Sequence, residues 1–354
     1  MGIFVHDHAQ IIAELTDTKV SVLKTIFPPI NSDWEMYGAN PMTLDKIYEI
    51  ETVPFFSIPK FKTIWESQLS IDWYLNSKLE TFMPKLAILH FLYPSGLVAK
   101  TLQKNKIPFI VHAHGSDISK FLKQKTLLEH FETFLPNAEY IFIAGKSSMN
   151  EFLHHFPNLK NKTIWFPNPI SVDLKKVDSK NTISNHNKKV ITVANIAKEK
   201  GVDLILPIAH SNPDINFIIV GNINSSSYSQ SFVKAALNYS NIQLIKAVPR
   251  NELQSLMQTC NLYLHTSRSE AFGLAVSEAI LLGLPIYGRK NGILQDLPSS
   301  EQLHYFESKP DDLVLKELIS LPKQSNTHAQ SYLSGLYGKS IVKESYKHYL
   351  KPWL

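Results

Sequence analysis

Short apolar runs rich in β-branched and aromatic residues alternate along the chain with segments whose apolar positions recur at helical spacing. The runs lie at 3–5, 86–91, 108–112, 140–144 and 163–166, and again at 190–194, 216–220, 242–245, 262–265 and 284–287. Each is continuous rather than alternating, the pattern of strands buried on both faces. Helical patterns fall between them, at 202–210, 228–239, 252–259 and 271–282. Strand, helix and strand in repeated succession predict parallel sheets with crossover helices. A last amphipathic stretch, 340–350, puts Ile341, Val342, Tyr346 and Leu350 on one stripe and predicts a docked helix.

A boundary is expected at Pro167-Asn168-Pro169, because two prolines deny backbone donors and hold their predecessors extended. Residues 178–189 are polar and read as loop. The predicted domains are therefore 1–168 and 169–335. Two Rossmann-like domains facing across a cleft are expected, with ligand at the carboxyl ends of the strands. The length of 354 residues suits about two domains.

Composition narrows the class. With 44% hydrophobic and 19% charged residues the chain can bury real cores. The longest apolar run, 279–288, is too short for a bilayer span and contains Pro285. The opening residues reach Asp7 and His8 too early for a signal peptide, and His6 replaces the Ser or Thr of a myristoylation signal. The single cysteine, Cys260, points to a reducing compartment, so a cytoplasmic protein is expected. Residues 1–170 hold 16 Lys, no Arg and 16 acids, so the net charge of +5 lies entirely in the remainder. That is too mild for a nucleic-acid footprint. Lys120, Lys123 and Lys125 form a small cluster that reads as a solvated helix face or as a touch point for anionic lipid.

Candidate chemistry follows three strands. After 262–265 comes Thr266-Ser267-Arg268-Ser269-Glu270-Ala271-Phe272-Gly273-Leu274, and a helix should begin near Phe272 or Gly273. The opening amides of a helix favour an anion such as a diphosphate. Glu278, about a turn later, can accept two hydrogen bonds from a sugar diol, or else it complements the helix dipole. Glu270 lies in the loop, where it meets ligand or merely solvent. After 190–194, Asn195, Lys198, Lys200 and Gly201 place lysines where a phosphate would be reached. After 108–112, His114 precedes Gly115 and can donate to a sugar hydroxyl or phosphate. His112 and His114 share one face of a strand, but no cysteine or acid sits nearby at zinc spacing, so no metal is expected.

Residues 85–290, and most closely 190–288, resemble the retaining glycosyltransferases of the GT-B fold, family GT4. The most specific element is the pair Glu270 and Glu278 within Ser-x-x-Glu-Ala-Phe-Gly-Leu, followed by Gly283-x-Pro285. Lys200-Gly201, Val220-Gly221, residues 253–261, His114-Gly115-x-Asp117 and Pro167-Asn168-Pro169 also match. The resemblance implies that Glu278 binds the donor ribose and Glu270 the transferred sugar. It implies that the amides of Phe272, Gly273 and Leu274, with Lys200, hold the diphosphate, and that His114 faces the sugar and phosphate. The resemblance also implies that the final helix, about 336–354, joins the first domain. A nucleotide sugar would be the co-substrate, with no metal cofactor. The acceptor would be a saccharide or lipid-linked saccharide in glycan synthesis, with loose membrane association.

Two departures stand out. Asn195 occupies the place where the family often has Arg, removing a bidentate phosphate clamp that Lys198 would have to replace. The glycine-rich loop after the first strand is absent, and Asp7 or His8 would face the acceptor there or be ordinary loop residues. Competing readings are a catalytically inactive scaffold, a nucleotide-sugar epimerase and a pyridoxal-dependent phosphorylase. A dinucleotide oxidoreductase is disfavoured because no G-x-G-x-x-G follows any strand.

Overall fold

The computed structural model describes residues 3–17, 19–26, 49–54, 72, 75–93, 95–170, 172, 188–270, 272–324 and 327–354. The chain divides into two units, Met1–Pro169 with Lys339–Leu354, and Ile170–Gly338.

In the first unit β1 (Ser21–Ile26) and β2 (Glu49–Pro54) form a parallel pair. Strands β3 (Ala87–His90), β4 (Phe109–Ala113), β5 (Ile141–Ile143) and β6 (Thr163–Trp165) form a parallel sheet in that order. Every residue of β4 and β5 is buried, which is why their sequences are uninterrupted apolar runs. One face packs on Leu102, Ile118, Phe131 and Phe152. The other carries Ile110, Phe142 and Phe166, covered by the helix Lys339–Leu350 through Val342, Tyr346 and Leu350. Those three recur every four residues and make one helical stripe. Ile341, expected on that stripe, is 41% exposed, since one residue of offset turns it about 100° away. Lys339 and Lys343 reach Glu14 at 2.7 and 3.0 Å, pinning the helix to the start of the chain.

The expected first strand at 3–5 is instead a helix, Ile3–Ala13. Three apolar residues carry no period. The following residues do, because Val5, His8, Ala9 and Ile11 are buried at helical spacing. Asp7 and His8 therefore sit on a helix, not in a loop after a strand.

The second unit holds β7 (Lys189–Val193), β8 (Asn216–Val220), β9 (Ile242–Ile245), β10 (Leu262–His265), β11 (Ile286–Gly288) and β12 (Leu303–Tyr305). All pairings are parallel, in the order β12-β11-β10-β7-β8-β9. The chain runs outward from β7 on one side and from β10 on the other, so the switch point lies between these two strands. Their carboxyl ends are where ligands of open α/β sheets bind. Among the described residues no helix is long and apolar enough to cross a membrane.

Candidate active site

The loops after β7 and β10 are stitched together before any functional side chain is placed. Thr266 Oγ1 donates to Lys200 O at 2.8 Å, and the Arg268 amide donates to Glu199 O at 2.8 Å. Arg268 Nη1 donates to Lys198 O at 2.6 Å, while its guanidinium grips Asp203 at 2.8 and 2.6 Å. The guanidinium and the Tyr228 hydroxyl, itself 2.6 Å from Asp203, hold that carboxyl down at about 2. Gly201 makes the close approach feasible: its φ is +62°, and a Cβ would stand 2.3 Å from Thr266 O.

This stitching brings Lys200 and Glu270 together, with Nζ 2.6 Å from Oε2. Ser267 Oγ donates to the same oxygen at 3.3 Å. Gly273, at φ +96°, caps the helix Leu274–Leu281. That helix starts where expected, at the end of the β10 loop, and its first amides lack intrahelical acceptors by geometry. A cavity of about 280 Å³ is lined by Asn195, Lys200, Gly221, Glu270, Gly273 and Leu274 among others. In its wall, His265 Nε2 donates to Asn291 Oδ1 at 2.9 Å, and burial keeps that imidazole's pKa below its ordinary value.

Glu278 is 3% exposed and pairs with Arg250 Nε at the start of the helix Arg250–Gln258. Arg250 escapes a sequence reading because no spacing ties it to Glu278, 28 residues away. Asn195 is exposed, and its Oδ1 accepts from the Asn222 amide at 3.2 Å. Lys198 is exposed and Phe272 buried against Tyr337, with ring centroids 5.1 Å apart. Neither side chain lines the cavity. The unit thus gathers Lys200, Glu270, Asn195, Gly273 and Leu274 around one hollow and holds Glu278 through Arg250.

In the first unit His114 lies just beyond β4 and is 4% exposed. Asn168 Oδ1 accepts from its Nδ1 at 2.8 Å, and its Nε2 is 3.0 Å from His90 Nδ1. Asp117 accepts from the amides of His114 and Leu92, each at 2.9 Å, so the His-Gly-x-Asp element clamps this turn to the end of β3. His8 is fully buried, which removes it from any open acceptor face. Its Nε2 donates to Asn168 Oδ1 at 3.1 Å, and its Nδ1 accepts from the Tyr346 hydroxyl at 2.9 Å. Burial draws the His8 pKa down to about 4. Asp7 is partly exposed on the same helix.

Residues 174–329 match the family described as Glycosyl transferases group 1. An uncharacterised glycosyltransferase of Methanocaldococcus jannaschii is 27% identical over 213 residues, 59% of this chain and 56% of that protein. The GtfA subunit of the UDP-N-acetylglucosamine–peptide N-acetylglucosaminyltransferase of Streptococcus agalactiae is 27% identical over 301 residues, 81% of this chain and 57% of its own length. The chain therefore spans less than two thirds of these two relatives. The crystal structure of Anabaena HepE in complex with UDP and glucose aligns with a TM-score of 0.73 at 16% identity, covering 99% of this chain and 96% of that one. The fold is GT-B, and the segment 174–329, which carries the candidate site, matches the glycosyl transferases group 1.

Proposed function

We propose that the chain is a glycosyltransferase of the GT4 type. It would move a sugar from a nucleoside-diphosphate donor to a saccharide or lipid-linked saccharide, with retention at the anomeric carbon, in glycan synthesis. The observation that carries this reading is the Lys200–Glu270 pair at the mouth of the helix Leu274–Leu281, inside one cavity at the β7/β10 switch point.

Departure of a nucleoside diphosphate builds negative charge on its terminal phosphate. Lys200 and the amides of Phe272, Gly273 and Leu274 are fixed in place to receive it, which is the setting in which electrostatic stabilisation is largest. Diphosphate competes with Glu270 for Lys200, and the released carboxylate accepts hydrogen bonds from the sugar hydroxyls. Arg250 holds Glu278 for the ribose diol. Lys198 and Asn195 flank the donor, Lys198 as a mobile charge in place of an Arg clamp. Charge compensation by lysine and helix needs no metal on the donor phosphates. The departing phosphate oxygen takes the acceptor proton on the same face. His114 would meet sugar and phosphate through Nε2, exchanging its bond to His90. Asp7, partly exposed, is the remaining acceptor-side candidate. A lipid-linked acceptor would bring the chain to a membrane surface from the cytoplasm.

The UDP in the names of the Streptococcus and Anabaena relatives supports beginning with UDP-sugars. A thermal-shift panel of UDP-, GDP- and ADP-sugars tests the reading, since a ligand of the native state raises the melting temperature. One nucleotide class should do so and yield a glycosylated product by mass spectrometry with an acceptor panel. Absence of any shift across the panel contradicts it.

A further inference from the structure

The sheet of the first unit assembles something the sequence conceals. Register pairs His90 on β3 with His112 on β4, and His114 follows two residues later on the same face. The three rings close on one another, with centroids 5.3 Å apart for His90–His112, 5.2 Å for His90–His114 and 4.4 Å for His112–His114. One nitrogen from each lies within 4.8 Å of the other two.

The tautomers follow from the surroundings. The Phe166 carbonyl, 3.1 Å from His112 Nε2, can only accept, so Nε2 carries the proton and Nδ1 the lone pair. That Nδ1 is buried with no hydrogen-bond partner among the described residues. A buried lone pair left unmatched is costly and asks for an explanation. Asn168 Oδ1 likewise takes the Nδ1 proton of His114, leaving its Nε2 as a lone-pair nitrogen directed at His90. Ligating histidines characteristically donate their second ring N–H to a carbonyl or amide oxygen, and both of these do. His8, with both ring nitrogens engaged, serves the same Asn168 oxygen and acts as outer support. His90 Nδ1 donates to His114 Nε2 at 3.0 Å; once that proton moves to His90 Nε2, the same two nitrogens stand at the spacing of two ligands about 2.1 Å from one ion and roughly 90° apart. His90 is only partly buried and gives the ion a way in.

We propose that His90, His112 and His114 form a binding site for a divalent transition ion of the zinc class, with a fourth position open to water. Three imidazoles suit such an ion and not magnesium or calcium, which take oxygen ligands. The sequence expectation of no metal rested on the lack of a third ligand near His112 and His114, and strand pairing supplies it from 22 residues upstream. The inference does not depend on the transfer reading. A metal on His114 Nε2 excludes that nitrogen from sugar contact, so metal-bound and transferring forms are alternatives.

The test is calorimetric titration of zinc into the chelator-treated full-length protein, with cobalt absorption as a second readout. One equivalent should bind, and cobalt should give the visible bands of a low-coordinate nitrogen site. His90→Asn and His112→Asn should each weaken zinc about 100-fold or more. The exposed pair changed to His154→Ala and His155→Ala should leave that binding intact. Circular dichroism checks that the variants fold. Nitrogen-15 spectra of wild-type imidazoles decide the matter without any variant, since zinc should shift His112 Nδ1. No stoichiometric binding, or binding that survives the strand variants and is lost with His154 and His155, overturns the proposal.

Discussion

Lys200 Nζ stands 2.6 Å from Glu270 Oε2, although the two residues follow different strands and are 70 positions apart. Hydrogen bonds between the two loops support this contact. Thr266 Oγ1, the Arg268 amide and the Arg268 guanidinium each bind a carbonyl of the 198–200 turn, so a cation and an acid are delivered to one spot at the switch point. Lys200→Ala should lower kcat about 10²- to 10³-fold, the cost of losing one fixed stabiliser of developing charge. Its ammonium-bearing side chain is 25% exposed, so the fold should survive by circular dichroism. Unchanged turnover with nucleotide sugar would remove Lys200 from the chemistry.

Glu278 makes the sharpest stability prediction. Its side chain is 4% exposed, and Arg250 supplies its counter-charge. Arg250→Ala takes the guanidinium away from a buried carboxylate and should cost up to about 3–5 kcal/mol in urea unfolding. The double variant with Glu278→Ala should recover part of that loss, because the stranded charge is then gone. A single-variant cost near zero would mean that the pair contributes little.

At Gly201 the φ of +62° and the approach of Thr266 O leave no room for a methyl group. Gly201→Ala should destabilise by more than about 1 kcal/mol and also depress turnover, since the displaced turn carries Lys200. A variant with wild-type melting temperature and activity would show that the turn can relax freely.

Much of the fold was legible because buried parallel strands are written as continuous apolar runs, and β4, β5, β8 and β10 lie where such runs stand. Two short segments were not legible in this way. The run at 3–5 belongs to a helix, and β12, Leu-His-Tyr, carries too little pattern to be seen. Strands β1 and β2 include Lys24, Glu49 and Glu51, which break the apolar signature. In the candidate site, Lys200, Glu270 and Gly273 were reachable because each follows a strand. Arg250, Asn291 and His90 were not, since what makes them relevant is a partner from another element. Sheet register and loop stitching are tertiary facts, invisible to spacing.

Asp203 sets an acid-side dependence. Its folded pKa of about 2 lies below the ordinary 3.8, so the unfolded chain binds the proton more readily. The stabilisation from Arg268 and Tyr228 is therefore complete above about pH 4 and lost as pH falls through about 2. Asp203→Asn should lower the unfolding midpoint at pH 6 and converge with wild type near pH 2. Partial exposure and salt screening keep the difference modest. A gap that widens on acidification would reverse the assigned sign.

The central claim is that the second unit grips a diphosphate with Lys200 at the helix mouth. Calorimetric titration of UDP, GDP and ADP, each beside its monophosphate, into wild type and Lys200→Ala tests it most directly. One diphosphate should bind wild type at least about 10-fold tighter than its monophosphate, a difference of roughly 1.4 kcal/mol, and the variant should lose that preference. Binding of none of them, or a preference that the variant keeps in full, would contradict the claim.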